Sequence, residues 1–495
     1  MEPIKIDLPS GLYRNGTAYQ SVGRWHEAQF MRWSGGIIRP HKGWDLAFDT
    51  APFMSGNVRA AFAWNDNDGL PYIMAATNSH VYVHDGTSLD DVTPSGFTTT
   101  DGDAASWTLD SFGELGIACN DEAEAIYEWQ PGGGGDLTVV TNSPDALATF
   151  TTEERFIIAL GADGDPRKVA WPNGEFRTVW TPTLTNRARE LLLQSKGVLM
   201  CGAKVRGASL IWSSEELFLF RYIGLPDVYA AERVASDCGI VGRNAHKVVD
   251  SIGYWMGKKA FWRYAGYVET IPCDIADDVF SNLNTSHAHK VWLRHDPEFG
   301  EIHFHYPRGA ETECSHRAIL NYREGHWTHD ALPRPAGVEI GIFSWPIMIT
   351  SEGRFMKHEV GYEYDESVFF LEDDGVSMLL DDDGVTYLTD DPGDDAPEVK
   401  PYAISGPFEI GNGDRRLMVD EIWPDEKTQG DCNVSFYFRE APNATETTLG
   451  PYTAADRIGV MATARQVRIE LEAAQTATDF RIGTYRAVVK TRGRH

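Results

Sequence analysis

The sequence lacks the features that mark secreted, membrane-embedded or disulfide-stabilised proteins. Its 495 residues include six cysteines, with no Cys-x-x-Cys pair, and isolated cysteines in apolar segments usually behave as small buried hydrophobes. The N-terminal residues 1–7 contain no apolar signal core. No apolar run reaches the roughly 18 residues that a membrane span needs. These absences predict a protein that is made in a reducing cytoplasm and has no membrane-spanning segment.

Basic residues are also scarce. There are 44 Lys and Arg against 73 Asp and Glu, so the formal net charge is −29 and the sequence pI is about 4.8. A chain of this charge repels phosphate at long range, which argues against tight nucleic-acid binding. A surface past which DNA slides without sticking would carry this sign.

Long amphipathic helices are rare in the pattern, and the best helical candidate is residues 186–194. Most of the chain consists of short apolar runs that are broken by Gly, Asp, Asn and Pro, as in sandwiches, barrels and propellers. With 42% hydrophobic and 12% aromatic residues, the chain has ample material for packing. The sequence therefore predicts an all-β fold.

One strand–turn–strand unit is especially clear at residues 72–94, and similar units begin near residues 107, 155, 198, 254, 301 and 343. Most carry an aromatic residue at or near a strand end, where it could fill the wedge between stacked blades. An ordinary aromatic core of another β-fold would give the same pattern. We predict a β-propeller of about six or seven blades over residues 51–365.

The flanking regions differ from these units. We expect residues 1–50 to join either the platform domain or the first blade. Residues 366–400 contain two copies of a nonapeptide, 371–379 and 380–388, whose Asp-Gly steps favour hairpin turns, and they are predicted to form an acidic hairpin insertion. Residues 401–495 alternate apolar and polar side chains, which predicts a C-terminal β-sandwich.

The residue types offer candidate ligands for two metals, calcium and zinc. The Asp-rich repeat offers the hard oxygen ligands that calcium prefers, but it lacks the EF-hand pattern, and a solvated acidic hairpin is the simpler interpretation. The pairs His287/His289 and His303/His305 would each place two imidazoles on one face of a strand. Zinc would need a third ligand. Without one, these histidines are expected to face solvent or a neighbouring subunit.

Enzymatic signatures are absent from the sequence. It contains no G-x-S-x-G, H-E-x-x-H or P-loop pattern. A propeller glycosidase would need a carboxylate pair, but so many Asp and Glu residues produce pairs by chance. The stretch Asp382–Tyr387 loosely resembles the structural Asp-box turn of sialidase-type propellers. We expect no enzyme, no catalytic, cofactor-binding or metal-ligating residues, and no cofactor.

Several turn and packing motifs together resemble the tail hub or nozzle proteins of short-tailed bacteriophages. These motifs lie at residues 11–17, 23–25, 31–33, 39–44, 238–243, 254–257, 357–361 and 480–483. The acidic repeat at 371–391 has no counterpart in this resemblance.

The resemblance implies a propeller with a sandwich platform, assembled as a homohexameric ring in the virion tail. The ring would lie below the portal and adaptor, contact the tail fibres or tailspikes and the tail tip, retain the packaged DNA and form part of the ejection channel. It implies no catalytic residues. Two alternatives stay open: a propeller enzyme that acts on host polysaccharide, and a host-receptor binding module.

Charge supports the ring interpretation, because six copies at −29 would carry roughly −174 and a lumen of that sign repels DNA. The acidic loops with Asp85, Asp91, Asp101 and Asp103 are predicted to contribute to it. The arginines at 14, 24, 32 and 39 could contact DNA, but we expect them to form ion pairs at domain or subunit contacts.

Overall fold

The computed structural model describes residues 4–48, 53–99, 103–133, 135–364, 369–370, 389–390, 399–409, 415–427 and 430–491. These residues are mainly strands, with one α-helix, Ala276–Asn282, and three 3-10 turns, Ala18–Ser21, Ala162–Gly164 and Ala288–Lys290. No helix in the described part of the chain is long and apolar enough to cross a bilayer. The predicted all-β fold is confirmed.

The helix predicted at residues 186–194 is wrong. Arg189–Leu192 form a strand that pairs antiparallel with Lys168–Trp171. Its leucines and charged residues have good helix propensity, but propensity is a weak preference that pairing with a neighbouring strand overrides.

Seven four-stranded antiparallel sheets follow one another along the chain, and we call them blades 1 to 7. The strands of blades 1 to 3, each from first to fourth, are Val58–Asn65, Pro71–Thr77, Val81–His84, Leu89–Asp91; Trp107–Phe112, Leu115–Asn120, Ala125–Trp129, Thr138–Val139; and Ala148–Thr151, Ile157–Leu160, Lys168–Trp171, Arg189–Leu192. Those of blades 4 to 6 are Leu199–Val205, Ala208–Ser213, Glu216–Gly224, Val228–Ser236; His246–Val249, Ile252–Met256, Phe261–Tyr264, Val268–Thr270; and Trp292–Asp296, Glu301–Tyr306, His316–Asn321, His326–Ala331. Those of blade 7 are Ala336–Val338, Ile347–Ile349, Phe355–His358 and Trp44–Leu46.

The blades form a closed ring, because the first strand of each blade contacts the first strands of both neighbouring blades, and that of blade 7 contacts that of blade 1. The fold is a seven-bladed β-propeller, within the predicted range. The ring closes through the N-terminal strand Trp44–Leu46, which pairs with Phe355–His358 as the fourth strand of blade 7. The propeller therefore includes a strand that precedes the predicted start at residue 51.

Tryptophans fill the interfaces between blades, as predicted. Five of them are at most 1% exposed: Trp107, Trp171, Trp212, Trp255 and Trp327. The indole of Trp107 in blade 2 donates to the carbonyl of Thr77 in blade 1 at 2.9 Å. The buried indole of Trp107 thus combines apolar packing with a satisfied polar atom.

A β-sandwich stands beside the propeller. One sheet contains Ile4–Ile6, Tyr485–Thr491, Leu417–Trp423 and Ile458–Ala464, and the other contains Trp25–Gln29, Tyr402–Ser405, Gln466–Ala473, Cys432–Arg439 and Thr447–Thr453. Buried and less buried residues alternate along Gln466–Ala473, as expected for a half-buried strand. The predicted C-terminal sandwich is present, and two of its strands come from the N-terminal segment.

The N-terminal segment joins both bodies. It supplies one strand to each sandwich sheet, then a hairpin of Met31–Ser34 and Ile37–Pro40, and finally the closing strand of blade 7. The expectation is the platform or the first blade. The segment joins the platform and also a blade, but that blade is the last one, because a closing strand has to pair with the end of the repeat array.

Most of the predicted acidic insertion, including the nonapeptide repeats, the Asp-box-like stretch and the proposed calcium ligands, lies outside the described residues. Phe369–Phe370 and Thr389–Asp390 form a short antiparallel pair on either side of the repeats. The chain therefore enters and leaves this segment side by side, as the predicted hairpin requires.

Candidate functional site

The propeller presents two faces. Because each blade is an up-and-down meander, the turns between its first and second strands and between its third and fourth strands lie at one face, which we call the lower face. The remaining turns and the connections between blades lie at the opposite, upper face.

The first strands surround a central channel with a volume of about 570 Å³. Much of its wall is small and apolar, including Ala61, Ala63, Gly202, Ala203 and Val248. Two ion pairs also lie in the wall, Lys247–Glu339 at 2.9 Å and Lys204–Asp110 at 3.9 Å. At these positions the wall is charged but balanced.

The connection between blades 4 and 5 crosses the upper end of the channel. Asn244 Nδ2 donates to the carbonyl of Trp107 in blade 2 at 3.1 Å. Arg243 Nε donates to Asp121 in blade 2 at 3.0 Å, and its Nη1 donates to the carbonyl of Met200 in blade 4 at 2.7 Å. The channel of one copy is therefore a small-molecule-sized cavity that is obstructed at one end.

Asp103 lies at the upper face within a cluster of cations. Its carboxylate is 2.5 Å from Lys290 Nζ, 3.2 Å from Arg59 Nη2 and 3.1 Å from His287 Nδ1, and its carbonyl is 3.1 Å from His289 Nε2. Burial acts to raise the pKa of Asp103, but the hydrogen bond and charge of Lys290 outweigh it and lower this pKa. The aspartate is thus ionised and locally neutralised.

The prediction that the His287/His289 pair lies on a strand is wrong. The two residues lie around the turn Ala288–Lys290. Within the described residues, this pair belongs to no group of three potential metal ligands. Burial lowers the pKa of His289. Both histidines contact Asp103 of the connection between blades 1 and 2, so they link that connection to blade 6.

The N-terminal hairpin inserts Arg32 between blades 6 and 7. Its Nε and Nη2 donate to the two carboxylate oxygens of Glu301, both at 2.9 Å, and Nη2 also donates to Glu359 at 2.8 Å. The Arg32 side chain is 0% exposed. Burial acts to lower the pKa of Arg32, but the two glutamates outweigh it and hold this pKa well above its usual value. Arg32 in turn lowers the pKa of Glu301 against the effect of burial.

Three potential metal ligands lie next to Arg32. Asp296, Glu301 and His303 hold ligand atoms within 4.8 Å of one another, the one such group in the described part of the chain. However, Arg32 Nη2 lies 3.5 Å from Asp296 and 2.9 Å from Glu301. A cation already compensates these carboxylates, so the cluster fits a guanidinium better than a metal ion.

Arg32 belongs to a larger buried cluster, which we call the Arg32 cluster. It contains four arginines, four carboxylates and four histidines: Arg32, Arg294, Arg317, Arg334, Asp296, Glu301, Asp330, Glu359, His41, His303, His305 and His358. Burial lowers the pKa of all four histidines, that of His41 to about 3. The imidazoles are therefore neutral at pH 7, and the cluster contains equal numbers of guanidinium and carboxyl groups.

The expectation that His303 and His305 face solvent or a neighbouring subunit is wrong. Both are 0% exposed, and every position of their strand, Glu301–Tyr306, is buried. The two histidines do share one face of the strand, but this second strand of blade 6 is covered on both sides. Period-two spacing identifies a shared face and cannot show that the face is exposed.

The predicted ion pairs of the arginine series are confirmed for three members. Arg14 lies 3.4 Å from Asp278 and Arg24 lies 2.7 Å from Asp274, both in the connection between blades 5 and 6, while Arg32 binds the glutamates of blades 6 and 7. Arg39 instead places its guanidinium 4.9 Å from the ring centroid of Phe299. These contacts join the N-terminal segment to the propeller.

The acidic residues predicted for a channel lining do not form one patch. Asp85 accepts hydrogen bonds from the backbone N–H groups of Thr87 and Ser88 in a lower-face turn, whereas Asp103 lies at the upper face. Asp91 is exposed on the fourth strand of blade 1, and Asp101 lies outside the described residues.

The lower face carries exposed apolar side chains that the sequence interpretation missed. They lie in or next to its turns: Leu70, Phe176, Val179, Leu184, Tyr222, Ile223, Leu225, Tyr267, Ile340, Ile342 and Trp345. Leu184 is 101% exposed. The sequence does contain an indication of this surface. Apolar residues occur in turn segments such as 223–226 and 340–346, where polar residues are usual. Exposed apolar groups concentrated on one face indicate an interaction surface.

No protein-family profile and no curated protein matches this sequence. Solved propellers resemble it in structure. The Cps50 (Swd1) β-propeller domain of Myceliophteria thermophila has 8% identity and a TM-score of 0.42, with 64% of this chain and 99% of that chain covered. Hsv2 of Kluyvelomyces marxianus has 7% identity and a TM-score of 0.34, with 72% and 98% covered. The N-terminal domain of Nup159 has 8% identity and a TM-score of 0.36, with 66% and 96% covered. At these identities the likeness concerns the fold and carries no function.

Proposed function

We propose that this chain is a non-enzymatic structural protein of a short bacteriophage tail, the nozzle, which forms a ring below the portal and adaptor. The observation that carries the proposal is the architecture, in which one N-terminal segment contributes a strand to each sandwich sheet and closes the propeller. A subunit that retains pressurised DNA needs two bodies that do not separate, and this threading supplies such a connection.

The position of the platform supports the proposal. Leu12 N donates to the carbonyl of Trp327 at 2.7 Å, and the Gln29 side chain exchanges two hydrogen bonds with Ala331 at 2.9 and 3.1 Å. Trp327 and Ala331 belong to the fourth strand of blade 6. The sandwich therefore packs against the outer edge of the propeller at blade 6 and leaves much of both propeller faces for neighbours in the tail.

The DNA path must run between copies. The central channel of one copy is obstructed by Arg243 and Asn244 and has a volume of only about 570 Å³. A ring of six copies would surround a separate lumen, and the net charge of −29 per copy would keep DNA from binding to its wall.

Electron microscopy tests the proposal directly. The purified chain would be imaged by negative stain alone and with the portal–adaptor complex of the phage that encodes it, and virions would be labelled with an antibody against the chain. We expect rings or tubes below the adaptor and label at the tail. A chain that stays monomeric with the adaptor and is absent from virions would overturn the proposal.

A host-receptor binding module is the second candidate, and the exposed apolar turns of the lower face favour it. Specific binding of the isolated chain to host cells, lost when these turns are made polar, would support that function. Polysaccharide cleavage abolished by one Asp or Glu substitution would instead support the enzyme alternative.

A further inference from the structure

Charge is distributed unevenly around the propeller. Residues 58–139, which form blades 1 and 2, contain fourteen acidic residues and one basic residue, the buried Arg59. Residues 148–236, which form blades 3 and 4, contain ten acidic and eleven basic residues. By residue count, blades 1 and 2 are therefore strongly acidic, while blades 3 and 4 are close to neutral.

Blades 3 and 4 also carry a dense group of exposed apolar residues. Leu184 is 101% exposed, Leu225 58% and Ile223 55%. Arg189 holds the two turns together, because its Nε donates to the carbonyl of Pro226 and its Nη1 donates to that of Thr183, both at 3.1 Å. The lower-face turns of blades 3 and 4 thus form one surface, which we call the apolar edge.

Two exposed arginines lie next to the apolar edge, whose own turns also carry the exposed Glu175 and Asp227. Arg206 and Arg221 are exposed in blade 4, and the fourth strand of that blade, Val228–Ser236, is the outermost strand of its sheet. We give the name acidic edge to the lower-face turns and the fourth strands of blades 1 and 2. It carries exposed Asp68, Asp90 and Asp136 together with two apolar residues that are each 55% exposed, Leu70 and Val139.

We propose that the partner of the apolar edge is the acidic edge of a second copy of this chain. This inference rests on the proposed ring. Apolar contacts would form the centre of the interface, and arginines facing aspartates would set its orientation. An acidic edge repels another acidic edge, so pairing is head to tail. Contacts of this kind propagate around a ring and close when the rotation allows.

A complementation experiment tests this pairing. One variant, I223D/L225D, disrupts the apolar edge, and another, D90K/D136K, disrupts the acidic edge. All four side chains are exposed, so both variants should fold, which circular dichroism would verify. The control E311K/D456K makes the same change in charge as D90K/D136K, at exposed sites on blade 6 and the sandwich.

Self-association would be measured by sedimentation velocity over a range of protein concentrations. The wild type and the control should associate alike, whereas each edge variant alone should dissociate at least tenfold more readily. An equimolar mixture of the two edge variants should form heterodimers and nothing larger, because the pair retains one intact contact.

Each other outcome counts against the proposal. A wild type that stays monomeric, an edge variant that associates as the wild type does, or a mixture of well-folded variants that fails to form heterodimers would overturn it. The result is distinguishable from a failure of the proposed function. Rings on the adaptor without complementation would refute only these two edges, and complementation by a protein absent from virions would refute only the tail assignment.

Discussion

Arg32 of the N-terminal hairpin and Glu301 of blade 6 form a fully buried bidentate ion pair, with both N–O distances at 2.9 Å. The two residues are 269 positions apart in the chain. Because the hairpin follows directly from a sandwich strand, this pair connects the platform to the propeller. The Arg32–Glu301 ion pair should therefore stabilise the contact between the sandwich and the propeller as well as the local packing.

Replacing Arg32 by Met should destabilise the protein by about 3–5 kcal/mol, since the change leaves Glu301 and Glu359 as buried carboxylates without their cation. Arg206→Met, at an exposed arginine of blade 4, is the control and should change stability by less than about 0.5 kcal/mol. Urea unfolding followed by tryptophan fluorescence would measure both. Equal midpoints for the two variants would contradict the assigned role of Arg32.

Trp44 should contribute to the stability of the protein, because its strand closes the propeller ring. It is 6% exposed, and its ring lies 5.5 Å from Phe30, 5.5 Å from Tyr364 and 5.2 Å from His358. Trp44→Ala should cost about 3–5 kcal/mol. Trp345→Ala, at a 38% exposed lower-face position of the same blade, should cost less than about 1 kcal/mol. Thermal unfolding would compare them, and a similar loss in both would show that blade closure does not depend on Trp44.

Period-two patterns and turn residues were sufficient to predict the propeller and the sandwich, since both are local signals. The role of the strand Trp44–Leu46 was not local, because its partner is more than 300 residues away, in Phe355–His358. Likewise, the sequence predicts that His303 and His305 share one strand face, as they do, but their burial depends on a hairpin and a blade that come from distant parts of the chain.

The candidate site was less predictable than the fold for the same reason. The arginine series was assigned to ion pairs, and the structure supplies the partners of Arg14, Arg24 and Arg32. No spacing rule connects Arg32 with Glu301 and Glu359. The apolar edge was not predicted, because the sequence does not distinguish an exposed apolar residue in or next to a turn, such as Leu184 or Ile223, from a buried one.

Deleting residues 371–388 and joining Phe370 to Thr389 with a short Gly/Ser linker should leave the rest of the protein folded. Phe370 pairs directly with Thr389, and paired residues of antiparallel strands are only about 5 Å apart, so a short linker can bridge the gap. The deletion removes six acidic residues and changes the net charge from −29 to −23. A melting temperature within about 3 °C of the wild type is expected, and an insoluble product would show that the segment is integral to the fold.

Duplex DNA should not bind the purified chain appreciably, even at low salt. A net charge of −29 leaves few cations to release counterions from phosphates. In a fluorescence anisotropy titration at about 50 mM salt, we expect no saturable binding tighter than about 10⁻⁴ M. Tight binding with a steep dependence on salt would indicate a basic surface and a protein that grips DNA.

His84 should make the protein less stable as the pH falls. It is 1% exposed in blade 1, its ring stacks 3.7 Å from Phe48, and its Nδ1 accepts a hydrogen bond from Gly86 N at 2.9 Å. Burial lowers the pKa of His84 to about 4, against the opposing charge of Asp85. The unfolded chain binds this proton near pH 6.5. Stability contributed by the neutral imidazole is therefore complete above about pH 6.5 and declines towards pH 4, by up to about 1.4 kcal/mol per pH unit.

His84→Asn isolates this effect from the other buried histidines. The Asn side-chain oxygen can accept the same hydrogen bond from the N–H two residues later, as in an Asx turn, but Asn does not titrate. Urea unfolding at several pH values between 4.5 and 7.5 would give the slope for each protein. Below pH 6, the dependence in the variant should be shallower by up to about 1.4 kcal/mol per pH unit. Parallel curves for the two proteins would show that His84 is protonated as readily in the folded state as in the unfolded chain.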